Sequence, residues 1–190
     1  MKPYVPALIS LPVLAMLTYN VVAEPATKRP DLAAPAAVVV TQRLIRAASE
    51  SEAIRLLDAS QFAPLPPQTS QITFCLLSVQ RIHLREAQTA VGFKAQTKCE
   101  QVVSSIRHKS KVSYLRGLEW RQAGTEFFSS NTLSATLLTK NVAYRCRSTR
   151  ETQWRGTTLV TVVYRGARYY GVASTAPERL SCGPTVARAD

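Results

Sequence analysis

The feature that most constrains the fold is a run of β-type sequence between residues 141 and 182. In residues 142–147, large apolar side chains alternate with small or charged ones, which is the period of two of a half-buried strand. Residues 157–164 are rich in β-branched side chains and apolar on both faces, which predicts a strand in the interior of a sheet. This pattern predicts a mainly β protein.

A tight turn follows the second of these strands. Gly166 precedes Ala167 here, and glycine is favoured at the first central position of a type II′ hairpin turn. In that register Tyr164 and Tyr169 lie near each other across the hairpin and form an aromatic pair. The sequence therefore predicts an antiparallel hairpin centred on Gly166 and Ala167.

The first 23 residues have the pattern of an export signal. Lys2 is followed by an apolar run that ends at Ala23 with small residues before Glu24. A retained signal anchor is the alternative, and contact with a membrane is expected only in that case. The sequence thus predicts a signal peptide over residues 1–23 and a secreted or cell-wall-associated chain.

Residues 24–70 combine linker composition with one helical pattern. Prolines and alanines, which are typical of linkers, lie at both ends of this region. Residues 36–59 between them have a helical pattern, and Ser49 with Glu52 three residues later fits a capping box. The prediction is a linker with a helical segment over about 36–59, which is a propeptide, a docking helix or a spacer.

Residues 71–190 form the predicted domain, and they hold the charge of the chain. They carry 18 Lys/Arg against 7 Asp/Glu, a net charge of +11, whereas residues 24–70 are balanced. Turn signals divide the domain into about six to eight short strands, which predicts a disulfide-bonded antiparallel β-sandwich. Tyr144, two residues before Cys146, matches the tyrosine corner of immunoglobulin domains. An immunoglobulin-like sandwich is therefore one form of this prediction.

All four cysteines lie in this predicted domain. In an exported chain four cysteines imply two disulfides, for which three connectivities exist. A metal site is not expected, because the sequence has no C-x-x-C pair and no histidine near a cysteine. We expect sequential pairing, since each bond would then join the ends of a local group of strands and stabilise by about 2–4 kcal/mol. The expected bonds are Cys75–Cys99 and Cys146–Cys182.

The order and spacing of several short motifs resemble a group of small, secreted, four-cysteine, β-rich proteins of actinobacteria. The resemblance extends from Cys75 to Gly183 and implies secretion and disulfide bonding, with no catalytic residue to carry over. The motifs are Val91-Gly92-Phe93-Lys94 before Cys99, the strand from Val103 to Ile106, Trp120, Val142-Ala143-Tyr144-Arg145-Cys146, Trp154-Arg155, Gly166 before Tyr169-Tyr170, and Cys182-Gly183.

The positive charge forms rows at strand spacing. Alternate residues of a strand share a face, so these rows predict a basic surface that attracts polyanions by counterion release. The expected partners are an anionic wall polymer or an extracellular protein, with nucleic acid less favoured because few aromatics interleave with the charges. The alternative is that the charges only keep the domain soluble and its sheet edges unpaired. The candidate residues are Arg81, Arg85, Arg107, Lys109, Lys111, Arg145 and Arg147.

Catalytic patterns are few, and the sequence favours a protein that is not an enzyme. His83 and His108 are the only histidines, and the simplest interpretation places both on the surface. A small secreted hydrolase such as a nuclease, using these two residues as acid and base, is the alternative. A secreted toxin or enzyme inhibitor is a third class. No cofactor is predicted, because the sequence has no P-loop or dinucleotide fingerprint.

Overall fold

The computed structural model describes residues 42–60, 67–85 and 89–184, so the predicted signal peptide (1–23) lies outside the described residues. Eight strands and one helix follow in chain order. They are β1 (Gln42–Arg46), α1 (Glu50–Ala59), β2 (Gln71–Val79), β3 (His83–Arg85), β4 (Ala90–Arg116), β5 (Glu119–Arg145), β6 (Ser148–Tyr164), β7 (Ala167–Ser174) and β8 (Glu178–Gly183).

One antiparallel sheet contains all eight strands, and it closes on itself. β4 pairs with β2, β2 with β1, β1 with β7, β7 with β6, and β6 returns to β4. β3 and β5 pair with β4, and β8 pairs with β6. The mainly β prediction is confirmed. The finer prediction of a sandwich or immunoglobulin-like fold is not, because the strands of the described residues form a single sheet.

The two longest strands, β4 and β5, have 27 residues each, whereas the sequence predicted short strands throughout. β4 pairs with β5 on one edge along nearly its whole length, with irregularities in register. On its other edge it pairs with β2 up to Cys99 and with β6 from Ser105 onward. The register of β4 with β5 shifts between Lys98 and Val103, which is where β4 changes partner on its other edge.

The prediction of a helical segment over 36–59 is wrong for residues 42–46, which form a strand. Residues 36–41 lie outside the described residues. In the described part of the segment, the helix spans Glu50–Ala59, while Gln42–Arg46 is the strand that joins β2 to β7. Leu44 and Ile45 are both fully buried there, and two adjacent buried residues fit a strand covered on both faces. Pairing with distant strands therefore overrides the local helical pattern.

The predicted cap of α1 is confirmed. The Ser49 hydroxyl accepts a hydrogen bond from the Glu52 backbone N–H at 3.2 Å. The Glu52 carboxylate in turn accepts one from the backbone N–H of Ala48 at 2.8 Å. Because the first of these contacts satisfies a donor that the first helical turn leaves free, Ser49 caps the described helix inside the segment of about 36–59 that the sequence predicted.

The hairpin between β6 and β7 is confirmed, with its turn one residue earlier than predicted. Tyr164 faces Ala167, so Arg165 and Gly166 are the central residues, with φ of 49° and 76°. Two positive φ angles define a type I′ turn rather than type II′. The expected aromatic pair with Tyr169 is therefore not formed, and the Tyr164 ring instead packs edge-on against Phe74 at 4.9 Å.

Both disulfides have the predicted sequential pairing. Cys75 bonds Cys99, and the two residues face each other on β2 and β4. Cys146, which follows β5, bonds Cys182 on β8. The two bonds therefore join different parts of the sheet, and they fit an extracellular location, where disulfides persist.

Candidate anion-binding surface

One face of the sheet brings together the longest predicted row of cations. Arg107, Lys109 and Lys111 alternate along β4 with core residues and point to the same face. Two arginines that the sequence analysis did not select join them. Arg155 lies on β6 opposite Ser113 of β4. Arg168 lies on β7 opposite Val163 of β6, and Val163 lies opposite Ser105 of β4. Paired residues point to the same face, so both arginines share the face of Arg107. These five residues, Arg107, Lys109, Lys111, Arg155 and Arg168, are called the cationic face.

Helix α1 lies over the middle of the cationic face. Lys109 Nζ donates a hydrogen bond to Glu50 Oε1 at 3.0 Å and lies 3.4 Å from Glu126 Oε2. The hydrogen bond to Glu50 is the main reason that the pKa of Lys109 is raised. Two carboxylates thus neutralise the central cation, while Arg107 and Lys111 on either side form no ion pair with a described residue.

Open cavities lie around the helix and contact these cations. A cavity of about 360 Å³ is bordered by Ile54 of α1 and by Lys111 and Arg155 of the sheet. A second cavity, of about 550 Å³, has Arg107 and Arg168 in its lining. The unpaired cations of the face therefore border solvent-accessible hollows that a ligand group can enter.

Arg155 is the most constrained cation of this surface. Its guanidinium lies over the Trp120 ring, 4.4 Å from the ring centroid, in a cation–π contact. Its Nε is buried and has no hydrogen-bond partner among the described residues. Partial burial also lowers the pKa of Arg155. The sequence analysis did not select Arg155, because its position beside Lys111 depends on the β4–β6 register, which no local pattern indicates.

The remaining predicted cations lie elsewhere. Arg85 and Arg145 lie opposite the same residue, Ala90, on strands β3 and β5 that flank β4. Arg81 is paired with Glu178 across 2.7 Å, and this hydrogen-bonded contact raises the pKa of Arg81. Arg147 is exposed, and its backbone N–H donates to Gly183 O. The seven predicted residues therefore belong to several regions rather than one site.

His108 is buried, so its predicted surface position is wrong. The residue is 1% exposed and lies on β4 between Ser129 of β5 and Val160 of β6. Nε2 hydrogen-bonds the hydroxyl of Thr97 at 2.7 Å, and Nδ1 hydrogen-bonds that of Thr139 at 2.8 Å. Thr139 also contacts Ser129. The error arises because successive residues of a strand point to opposite faces. His108 therefore points to the core, whereas its charged neighbours point outward.

His83 is exposed, as predicted, and its Nδ1 lies 2.9 Å from the Arg81 carbonyl oxygen.

The burial of His108 predicts a pH-dependent stability. Desolvation lowers its pKa from 6.5 to about 4. Below pH 6.5 the histidine is protonated in the unfolded chain but stays neutral in the folded chain until the pH approaches 4. The free energy of unfolding is therefore at its full value above pH 6.5 and decreases as the pH falls toward 4. We expect a loss of about 3 kcal/mol across that window. Urea unfolding of the wild type and of His108→Gln measures it.

His108→Gln keeps hydrogen-bonding groups but does not titrate, so its stability should vary less between pH 7 and pH 4 than that of the wild type. His83→Gln is the matched control, since that residue is exposed. An equally steep decrease in the wild type and in His108→Gln would contradict the assignment.

Comparison of the chain with protein-family models, with curated proteins and with solved structures found no match. Within the part of the chain that the structure describes, no helix has the length and hydropathy needed to span a bilayer. In the same ranges no three His, Cys, Asp or Glu residues lie close enough together to hold a metal ion. The geometry of the cationic face is therefore the basis for a functional proposal.

Proposed function

We propose that this chain is a secreted, non-enzymatic binding protein that engages an anionic polymer of the cell envelope through the cationic face. The observation that carries the proposal is the row of Arg107 and Lys111 on one face of β4, extended by Arg155 and Arg168 on neighbouring strands. Among the described residues the ion pairs engage Arg81, Lys109 and Arg121, so four of the five cations of the face have no carboxylate partner.

The spacing of the row supports an extended ligand. Residues i and i+2 of a strand are about 6.5–7 Å apart, so Arg107 and Lys111 are separated by about 13 Å. A linear polymer with repeated negative charges matches such a row, and binding releases its counterions. Nucleic acid has the same charge pattern, but Arg155 already covers the Trp120 ring. This leaves the exposed ring of Phe128, opposite Lys109, for stacking with a base.

A nuclease that uses both histidines draws no support from the geometry. A general acid or base must reach the proton that it transfers, within about 2.6–3.2 Å. Both ring nitrogens of His108 already bond to buried threonine hydroxyls, so neither is free to transfer a proton, although the residue borders a cavity of about 310 Å³. Nothing in the described residues favours the toxin or inhibitor alternatives over binding.

Retention on dextran sulfate at increasing NaCl concentration tests the proposal. The double variant Arg107→Gln/Lys111→Gln should bind about 30-fold more weakly than the wild type, because each basic residue near an anionic surface contributes about 1 kcal/mol. Its affinity should also depend less steeply on salt. The matched control is Lys98→Gln/Arg165→Gln, which removes the same charge from exposed positions outside the cationic face.

Glu50→Gln gives an expected change of opposite sign. The substitution removes the carboxylate nearest to Lys109, so that this cation becomes available to the polymer and retention increases. Equal losses in the Arg107/Lys111 variant and in the control would mean that net charge alone governs retention. The proposal would then be wrong, as it would be if the wild type were not retained at low salt.

A further inference from the structure

A cleft opens where strands β4 and β6 separate. Their ladder ends at Tyr114 and Trp154. Beyond this pair β4 continues with β5 to the hairpin tip, and the residues of β6 that precede Trp154 pair with β8. The two edges that face each other have no partner strand within the described ranges, and the cleft between them has a volume of about 360 Å³. This cleft is called the fork cleft.

Three arginines from three different strands line the fork cleft. Arg116 lies near the end of β4, Arg150 on β6 and Arg179 on β8. All three are exposed, and none forms an ion pair with a described carboxylate. Glu151 also lines the cleft and likewise has no ion pair in the described residues. Three guanidinium groups around one cleft repel each other, and a bound anion relieves that repulsion.

We propose that the fork cleft binds a phosphate group, carried either by a small phosphomonoester or by the phosphodiester backbone of an anionic polymer. Each guanidinium presents a planar set of N–H donors that matches a pair of oxygens. A planar carboxylate is satisfied by one such group, whereas the tetrahedral oxygens of a phosphate accept from several directions. Three arginines from β4, β6 and β8 in the lining of one cleft therefore favour phosphate over carboxylate.

The fork cleft is distinct from the cationic face. The lining of the fork cleft contains none of the residues Arg107, Lys109, Lys111, Arg155 and Arg168, and it is formed where the β4–β6 ladder has ended. The cationic face is an extended row across the paired part of the same strands. A compact group and an extended polymer are thus expected to be recognised at different places, and the phosphate proposal does not depend on the polymer proposal.

Calorimetric titration of the full chain, with both disulfides formed, tests the phosphate site. Inorganic phosphate is the probe, and sodium acetate at equal ionic strength is the control for carboxylate. We expect binding with a Kd in the millimolar range, weakened about tenfold by Arg150→Gln or by Arg179→Gln. Glu151→Gln should tighten binding, because it removes a negative charge from the lining of the cleft that repels phosphate. These residues are exposed, so the variants are expected to fold.

The outcomes separate this proposal from the one for the cationic face. Arg107→Gln/Lys111→Gln should bind phosphate as the wild type does, and Arg150→Gln should bind dextran sulfate nearly as the wild type does. Any one of three results would exclude the phosphate site. The wild type could give no heat with phosphate, or it could bind acetate as tightly as phosphate. The third is that Arg107→Gln/Lys111→Gln weakens phosphate binding as much as Arg150→Gln does. None of these results would affect the dextran sulfate assay.

Two further probes identify the source of the phosphate. Glycerol 3-phosphate represents a phosphomonoester, and poly(glycerol phosphate) represents a phosphodiester polymer. Competition by the first alone assigns the cleft to small esters, and competition by the second alone assigns it to the polymer. Competition by neither, at concentrations that saturate with inorganic phosphate, would overturn the proposal, because the cleft would then exclude any phosphate that is part of a larger molecule.

Discussion

Replacing Trp154 by alanine is expected to destabilise the fold by about 3–5 kcal/mol, the usual cost of removing a buried tryptophan. Trp154 is fully buried and is the residue of β6 at which the ladder with β4 begins in chain order. Its ring packs between Tyr114 of β4 at 5.8 Å and Tyr144 of β5 at 5.5 Å. Its Nε1–H donates to the backbone oxygen of Cys182 on β8 at 2.8 Å. One side chain thus connects four strands of the sheet.

Trp154→Phe is the matched control for that experiment. Phenylalanine retains an aromatic ring between the two tyrosines but lacks the N–H, so the buried oxygen of Cys182 loses this donor. The expected loss for this variant is about 1–3 kcal/mol, smaller than for alanine. Urea unfolding under oxidising conditions measures both losses. A loss below about 1 kcal/mol for Trp154→Ala would show that the ring does not hold these strands together.

The second large effect is expected from removing the disulfide between Cys146 and Cys182. The double alanine variant should lose about 3–4 kcal/mol, because an open chain of 36 residues regains conformational entropy when it unfolds. Among the described strands β8 pairs with β6 alone, and the disulfide ties it to the end of β5. Amide hydrogen exchange in Glu178–Gly183 should therefore become faster in this variant than in the wild type.

The other disulfide provides the comparison. Cys75 and Cys99 close a loop of 24 residues, and the entropy term for the two loops differs by less than about 0.5 kcal/mol. These cysteines lie opposite each other on β2 and β4, which the sheet already pairs. Removing this bond should lower global stability by a similar amount and leave exchange in Glu178–Gly183 near the wild-type rate. Equal acceleration of exchange in both variants would contradict a specific role for Cys146–Cys182 in holding β8.

The elements that sequence analysis predicted well depend on local or pairwise patterns. The β-branched stretch at 157–164 is an interior strand because it is apolar on both faces, and that property is visible in the sequence. The Ser49 cap marks the start of α1, since the Ser49 hydroxyl and the Glu52 N–H that it binds lie within one turn. Sequential disulfide pairing was also predicted correctly, and it joins cysteines that are close along the chain.

The errors occur where a distant strand decides the outcome. Leu44 and Ile45 form a strand because β2 and β7 lie on either side, and the isolated segment has only a helical pattern. His108 belongs to the core because the faces of β4 are assigned by β2, β5 and β6 together. The length of β4 was missed for the same reason, since its change of partner at residues 99–105 is invisible from local turn signals.

The candidate sites likewise depend partly on properties of the chain and partly on contacts between distant strands. By itself the sequence determined that the chain is basic, mainly β and cross-linked by two disulfides, because charge, period and cysteine order are properties of the chain. Only the tertiary structure decided which cations meet. Arg155 joins Lys111 through the β4–β6 register, and Arg116, Arg150 and Arg179 line one cleft where that register ends. Register is a relation between strands far apart in sequence, and a shift of one residue would turn each of these side chains to the opposite face.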